Sequence, residues 1–296
     1  MTLDRPLVVL LLALLGPGCG SDAQPVARSG ARTVLDATGA SVSLPAEVRR
    51  IVTTVPGLTA TIDALGLGDR LVAVSAPEPA VGPHAALPRI PVFPVIPAET
   101  IASLRPDLIL VDPTLSPRDV APLRARFPCT FASDSRSLDG LRTTFVRLGA
   151  ALDRVREAGR LVAELDAARA EARVKDAPLV LLLSWAEPPS VIALGPGSLL
   201  DDMLRAVGAR NLAADLGHAS GPVSSEAVVS GDPDWIVLTG ATFSEDLRAR
   251  WSTVKAVQHA RIVEAGGDDF VQAGPRTAAA LRRLAALLTP TGGAIK

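Results

Sequence analysis

One pattern occurs twice in this chain. Glu99-Thr-Ile-Ala-Ser-Leu-Arg-Pro106-Asp107-Leu-Ile-Leu-Val is matched by Glu226-Ala-Val-Val-Ser-Gly-Asp-Pro233-Asp234-Trp-Ile-Val-Leu: a glutamate, six residues, Pro-Asp, then four apolar residues. Proline cannot continue a helix and aspartate stabilises turns. Each copy therefore reads as a helix that stops at a Pro-Asp turn and feeds a strand. The apolar runs do not alternate with polar residues, which suits parallel strands covered on both faces. A weaker echo pairs Ile62-Asp-Ala-Leu-Gly66 with Leu204-Arg-Ala-Val-Gly208, each a helix closing on a glycine. Two versions of one unit predict two related lobes, and lobes that face each other enclose a cleft where small ligands bind.

The remaining pattern agrees with α/β architecture. Strands are expected at Ile51–Val55, Leu71–Ser75, Leu108–Asp112 and Thr130–Ser133, and again at Leu179–Trp185, Val191–Leu194, Trp235–Thr239 and Arg261–Glu264. Helices are expected at Thr59–Leu65, Glu99–Leu104 and Arg118–Phe127. Between the two groups, Asp153–Lys175 places Val155, Ala158, Leu161, Val162, Leu165, Ala168 and Ala172 on one helical face and charges on the other. A helix of that length is a rod of roughly 35 Å. It is read as a spine between lobes. The expected division is a leader over 1–18, a tether over 19–36, an N-terminal lobe over 37–137, a helical segment with the interlobe helix over 138–175, and a C-terminal lobe over 176–296.

The first residues read as an address. Arg5 precedes nine apolar residues, Leu7–Leu15, too few to cross a bilayer but right for a secretory leader. Cys19 follows small residues and precedes a polar stretch, as at a lipoprotein processing site; Gly16 and Pro17 depart from the usual pattern, and cleavage after Ala23 is the rival. The expectation is export to the periplasm or cell surface, with Cys19 lipidated as the anchor. A net charge of −1 lacks the basic excess that nucleic acid requires, so no nucleic-acid partner is expected. Two cysteines exclude a disulfide scaffold, and the lack of any tyrosine excludes a phenolate ligand.

Catalytic patterns are missing. There is no Gly-x4-Gly-Lys and no Gly-x-Ser-x-Gly elbow. His84, His218 and His259 lack ligand spacing, so no metal site is expected. Ser198 reads as a helix cap, Asp107 and Asp234 as turn residues, and Cys129 as a buried thiol. Neither an enzyme nor a cofactor of the protein's own is expected.

These residues, in their order and spacing, resemble the class III periplasmic binding proteins that serve ABC importers. The resemblance covers roughly residues 33–290. It rests on Val34–Pro45, Arg50-Ile51-Val52, Thr59, Ala64–Val72, the two Glu-x6-Pro-Asp units and Ala273-Gly274-Pro275-Arg276. It departs from the family at Ala60, where a glutamate is usual. The resemblance implies two Rossmann-like lobes joined by a single long helix, with the ligand cleft between them. It implies a monomer that delivers a metal chelate, a cobalamin-type corrinoid or a ferric siderophore, to a permease dimer in the membrane. Glu99 and Glu226 stand where the family docks onto permease arginines. Phe93, Trp185 and Phe270 resemble ligand-facing aromatics of the cobalamin-binding branch; Arg276 is either a contact for an anionic ligand or, as often in this family, a structural part of the Pro-Arg element. Core packing is the alternative for the aromatics, and is the expectation for Trp235, Phe127, Phe131 and Phe145. The alternatives for the whole are haem or a bare metal ion in the same fold, or a two-lobe lipoprotein without a transport role.

Overall fold

The computed structural model describes residues 30–289 apart from 80, 115–117, 188–189, 241, 266–269 and 271. The predicted leader, Cys19, Pro188, Pro189 and Asp269 lie outside the described residues.

The first lobe is built on β3 (Ile51–Thr53), β4 (Leu71–Ser75), β5 (Arg89–Ile90), β6 (Leu108–Val111) and β7 (Thr130–Ala132). They form one parallel sheet in the order β5-β4-β3-β6-β7. The chain winds outward one way from β3 and the other way from β6, so the order reverses between them; such a switch point opens a crevice at the carboxyl ends of the strands. Helices α1 (Pro56–Ala64), α2 (Ala98–Ser103) and α3 (Val120–Arg126) make the crossovers. A hairpin of β1 (Arg32–Leu35) and β2 (Ser41–Leu44) precedes the sheet. Asp36 at its turn is fully buried. Its Oδ1 accepts from Thr38 N and Ala40 N, and its Oδ2 accepts from Ala132 N on β7 and pairs with Arg124. These bonds hold the hairpin to the lobe, so folded structure begins inside the stretch expected to be tether.

The second lobe carries β8 (Leu179–Glu187), β9 (Ser190–Leu194), β10 (Arg210–Asn211), β11 (Ser220–Pro222), β12 (Trp235–Leu238) and β13 (Ile262–Glu264). Strands β8, β12 and β13 are parallel, β10 adds to β8, and β9 and β11 are antiparallel additions. Its helices are α6 (Leu199–Ala206), α7 (Ser225–Gly231), α8 (Glu245–Arg250), α9 (Lys255–Gln258) and α10 (Thr277–Leu287).

The sequence repeat has a physical meaning. Asp107 Oδ2 accepts from the backbone N–H groups of Arg49 and Arg50, at 3.0 and 3.1 Å, just before β3. Asp234 Oδ2 accepts from Leu179 N, at 2.8 Å, at the start of β8. Each Pro-Asp turn thus staples its own strand, β6 or β12, to the neighbouring strand that precedes it in sequence. Both echoed helices end as expected, on Gly66 and Gly208 with φ of +72° and +89°, where an added Cβ would be strained.

Two helices join the lobes, α4 (Leu138–Ala151) and α5 (Val155–Glu171). Along α5, Ala158 belongs to the core of the first lobe, Leu165 and Ala168 to that of the second, and Leu161 touches both. Along α4, Leu138, Leu141 and Phe145 pack into the second core while Leu148 and Ala151 pack into the first. The spine is real but shorter than the expected rod: 17 residues, about 25 Å at 1.5 Å each. Asp153, with φ of +56°, breaks the chain between α4 and α5. Beyond Ala172, Val174 N donates to Val207 O and the Arg173 guanidinium donates to Ala206 O, which draws the chain off the helix axis.

Candidate functional site

A cavity of about 530 Å³ lies between the lobes. The first lobe contributes Val55 and Gly57 after β3, Asp112–Thr114 after β6, and Ser135 and Arg136 after β7. These are the carboxyl ends of the parallel strands on both sides of the switch point, where open α/β sheets bind ligands. The second lobe contributes Leu194 at the end of β9, Gly197–Leu199 at the start of α6, Ala219 and Ser220 at β11, and Gln272 and Ala273 ahead of α10. A neighbouring cavity of about 330 Å³ shares Pro113, Thr114, Ser135 and Arg136 and reaches Thr38. A larger hollow, about 720 Å³, lies against Leu65, Gly66 and the Asp153–Glu157 turn. It is a shallow hollow lined largely by the charged residues Asp153, Arg154, Arg156 and Glu157, and the interlobe cavity is the better ligand site on chemistry and placement.

The surface of the lining is mainly apolar, although polar side chains stand among the aliphatic ones, several of them already positioned. Asp112 is buried, and its Oδ1 accepts from Thr114 N at 2.9 Å and Thr114 Oγ1 at 2.6 Å. Ser135 Oγ lies 3.2 Å from Thr114 Oγ1. Arg136 is the one arginine among the described lining residues, and it is held by Asp134, with Nε donating to Oδ1 at 3.1 Å. Ser198 accepts from Asp201 N and caps α6, as the sequence predicted. The site therefore offers hydroxyls, an amide, backbone groups, the Asp112 carboxylate and one guanidinium whose charge is matched by its neighbour. No His, Cys or aromatic residue is among the described lining residues, and no three His, Cys, Asp or Glu side chains among the described residues come together to hold a metal.

The four residues expected to contact ligand are not among the described lining residues of this cavity. Phe270 is a correction: it is 2% exposed, sits in the core of the second lobe, and has the Arg283 guanidinium 5.5 Å from its ring. Phe93 is 86% exposed on the loop before α2, and Trp185 is 47% exposed on β8; neither is among the lining residues. Arg276 is exposed at the N-terminal cap position of α10, also outside the lining. Trp235, Phe131 and Phe145 are core residues, as expected, and Phe127 is half-buried. Cys129 is half-buried rather than fully buried. The residues that do line the cavity were missed in sequence, although Asp112 directly follows the apolar run Leu108–Val111, which is the available signal.

Glu99 and Glu226 occupy matching places in the first turns of α2 and α7, and both are exposed. Their surroundings differ. Glu99 forms a two-point ion pair with Arg126, at 2.7 and 2.9 Å, and that hydrogen bonding holds its carboxyl below the ordinary glutamate value. Glu226 has no ion-pair partner among the described residues.

Known proteins show the same organisation. The chain is 25% identical to an uncharacterised ABC transporter substrate-binding lipoprotein, YvrC, of Bacillus subtilis strain 168, over 95% of both chains. It is 26% identical to a vitamin B12-binding protein of Vibrio cholerae, over 89% of this chain and 97% of the relative. The solved apo structure of the periplasmic heme-binding protein RhuT from Roseiflexus sp. RS-1 superposes with a TM-score of 0.69 at 28% identity, covering 81% of this chain and 97% of that one. Residues 51–268, which span both sheets and the helices joining them, match the family model described as periplasmic binding protein, and this chain belongs to that family.

Proposed function

We propose that this protein is the substrate-binding component of an ABC importer, that it carries a metal chelate between its lobes, and that the chelate is a corrinoid. The observation that carries the reading is the interlobe cavity: a cleft of mainly apolar surface at a topological switch point, with hydroxyl, amide and backbone groups and one buried carboxylate, Asp112. A corrinoid presents an apolar face and a fringe of neutral amides, which such a lining can meet. A polyanionic catecholate chelate needs arginines, and the one arginine of the described lining is already paired with Asp134. Relatives named for vitamin B12 and cobalamin support the same reading. The cavity holds only part of so large a ligand, so the remainder faces the cleft mouth. Trp185 and Phe93, both exposed, are proposed as apolar contacts at that rim, with Arg276 as a polar one.

The exported chain is anchored through lipidated Cys19, as the name of the Bacillus relative supports. It docks as a monomer on a permease dimer through Glu99 and Glu226. Two carboxylates on equivalent helices can register on a two-fold partner and steer its approach. A second reading, haem, is supported by the likeness to RhuT. Against it stand the lack of tyrosine in the chain and of histidine among the described lining residues.

The test mixes the protein separately with cyanocobalamin, ferric hydroxamate, ferric catecholate and haem, then desalts each mixture and records the visible spectrum of the protein fraction. A corrin spectrum co-eluting near one per chain is expected. Retention of an iron chelate alone would keep the transport role and overturn the corrinoid reading. Retention of none, with uptake in cells unchanged by the double substitution Glu99→Gln and Glu226→Gln, would leave a two-lobe lipoprotein without a transport role.

A further inference from the structure

The lobes meet backbone to backbone at one edge of the cavity. Gly57, in the first turn of α1, belongs to the first lobe, and Ala273-Gly274, just ahead of α10, belongs to the second. An ideal Cβ built on Gly57 would lie 2.1 Å from Ala273 O and 3.0 Å from Ala273 C. One built on Gly274 would lie 2.9 Å from Gly57 O and 3.1 Å from Gly57 Cα. Non-bonded heavy atoms settle at about 3.5 Å or beyond, so a methyl group at position 57 demands roughly 1 Å of movement.

Conformation does not explain these glycines. Neither has the positive φ that excludes other residues, in contrast to Gly66 and Gly208. Alanine is therefore compatible with each local backbone, and the conflict lies only between lobes. Nor can either backbone easily give way. Thr61 Oγ1 donates to Gly57 O at 2.7 Å, and Gly274 N donates to Thr277 Oγ1 at 3.1 Å, with both threonines buried. Each side of the contact is thus braced by the first turn of its own helix. Gly57 and Ala273 also line the cavity.

We infer that Gly57 and Gly274 are positioning residues that set the width of the ligand cleft: their missing side chains let the lobes close to backbone contact, and any added carbon acts as a wedge between them. The cleft width then selects ligands by thickness. The inference concerns lobe spacing and holds for whichever chelate the cleft carries.

The test measures spacing directly. Nitroxide labels are placed at Ser103→Cys in the first lobe and Ser230→Cys in the second, both exposed, in a chain also carrying Cys19→Ser and Cys129→Ser. Interlobe distance distributions are recorded by pulsed electron resonance for the parent, Gly57→Ala, Gly57→Val, Gly274→Ala and the control Gly159→Ala, whose added Cβ meets nothing within 4 Å. The distance is expected to shift by roughly 1 Å or more for Gly57→Ala, further for Gly57→Val, and not for the control. Retention of cyanocobalamin is expected to fall about tenfold or more in the wedged variants, since misplacements of this size carry such factors. Unchanged distances with a lowered melting temperature would reduce the glycines to a packing role and overturn the inference. If the parent retains no cyanocobalamin, the corrinoid reading fails alone, and the distance series still decides this one.

Discussion

Removing the two aspartate staples tests whether the sequence repeat is a repeat of physical function. Asp107 is 6% exposed and takes two backbone N–H groups at the entrance to β3, whereas Asp234 takes one at the entrance to β8. A hydrogen bond to a charged group contributes about 1.5–3 kcal/mol, and loss of the acceptor leaves its donors unsatisfied. The donors are partly buried, which favours the lower end of that range. Asp107→Ala is therefore expected to cost about 3 kcal/mol and Asp234→Ala about half as much. The sites lie in different lobes, so the double variant should lose close to the sum. Urea unfolding followed by far-UV circular dichroism measures the whole chain. Tryptophan fluorescence measures the second lobe, because Trp185, Trp235 and Trp251 all lie there. Equal losses, or a larger loss for Asp234→Ala, would refute the counting of donors as the source of the effect.

Three further outcomes follow from local chemistry. Arg126→Ala removes the main cause of the lowered Glu99 carboxyl, so the Glu99 titration followed by carbon NMR should move up toward the ordinary glutamate value; an unmoved titration would mean the pair does not form in solution. Because the folded value is the depressed one, the pair contributes at neutral pH and is lost as pH falls through the folded value, so the variant and parent should converge in melting temperature in acid. Glu78 has the opposite sign: burial is the largest influence and raises its carboxyl, opposed by a hydrogen bond from Thr59. Glu78→Gln should therefore raise the melting temperature at pH 7 and make no difference well below the usual carboxylate range, with an unchanged melting temperature at pH 7 counting against the burial argument. Phe270→Ala should cost about 3–5 kcal/mol in urea unfolding, as for other buried phenylalanines, and a loss under 1 kcal/mol would place the ring outside the core.

The parts of this fold legible in sequence are those encoded within a few consecutive residues. Leu108–Val111 and Trp235–Leu238 are fully buried strands because four adjacent apolar side chains admit no exposed face. Gly66 and Gly208 end helices because their left-handed conformations suit glycine. The cavity was not legible because at least five separate segments build it, and no local pattern records which of them meet. Phe270 shows the same limit, since an aromatic residue near a motif can turn toward either the core or the cleft. The spine differs from its expected bounds for another reason. The expected helix runs from Asp153 to Lys175, but a left-handed residue at Asp153 and hydrogen bonds from Arg173 and Val174 to the α6 terminus confine it to Val155–Glu171.

The two lobes agree in their staples and in their exposed glutamates, yet they reach the cleft differently. In the first lobe, α1 follows the central strand β3 directly and presents Gly57 to the cavity. In the second, the antiparallel strand β9 intervenes after β8, and α6 presents Gly197–Leu199 instead. Each lobe thus brings the start of a helix to the cavity by its own route. What the repeat preserves is the strand framework and the places of the two outer carboxylates. What it has lost is equivalence inside the cleft, where Asp112, Thr114 and Arg136 face Leu194, Ser198 and Ser220. On the proposed reading, equivalent outer glutamates above an unmatched cleft suit a protein that presents an asymmetric chelate to a symmetric membrane partner.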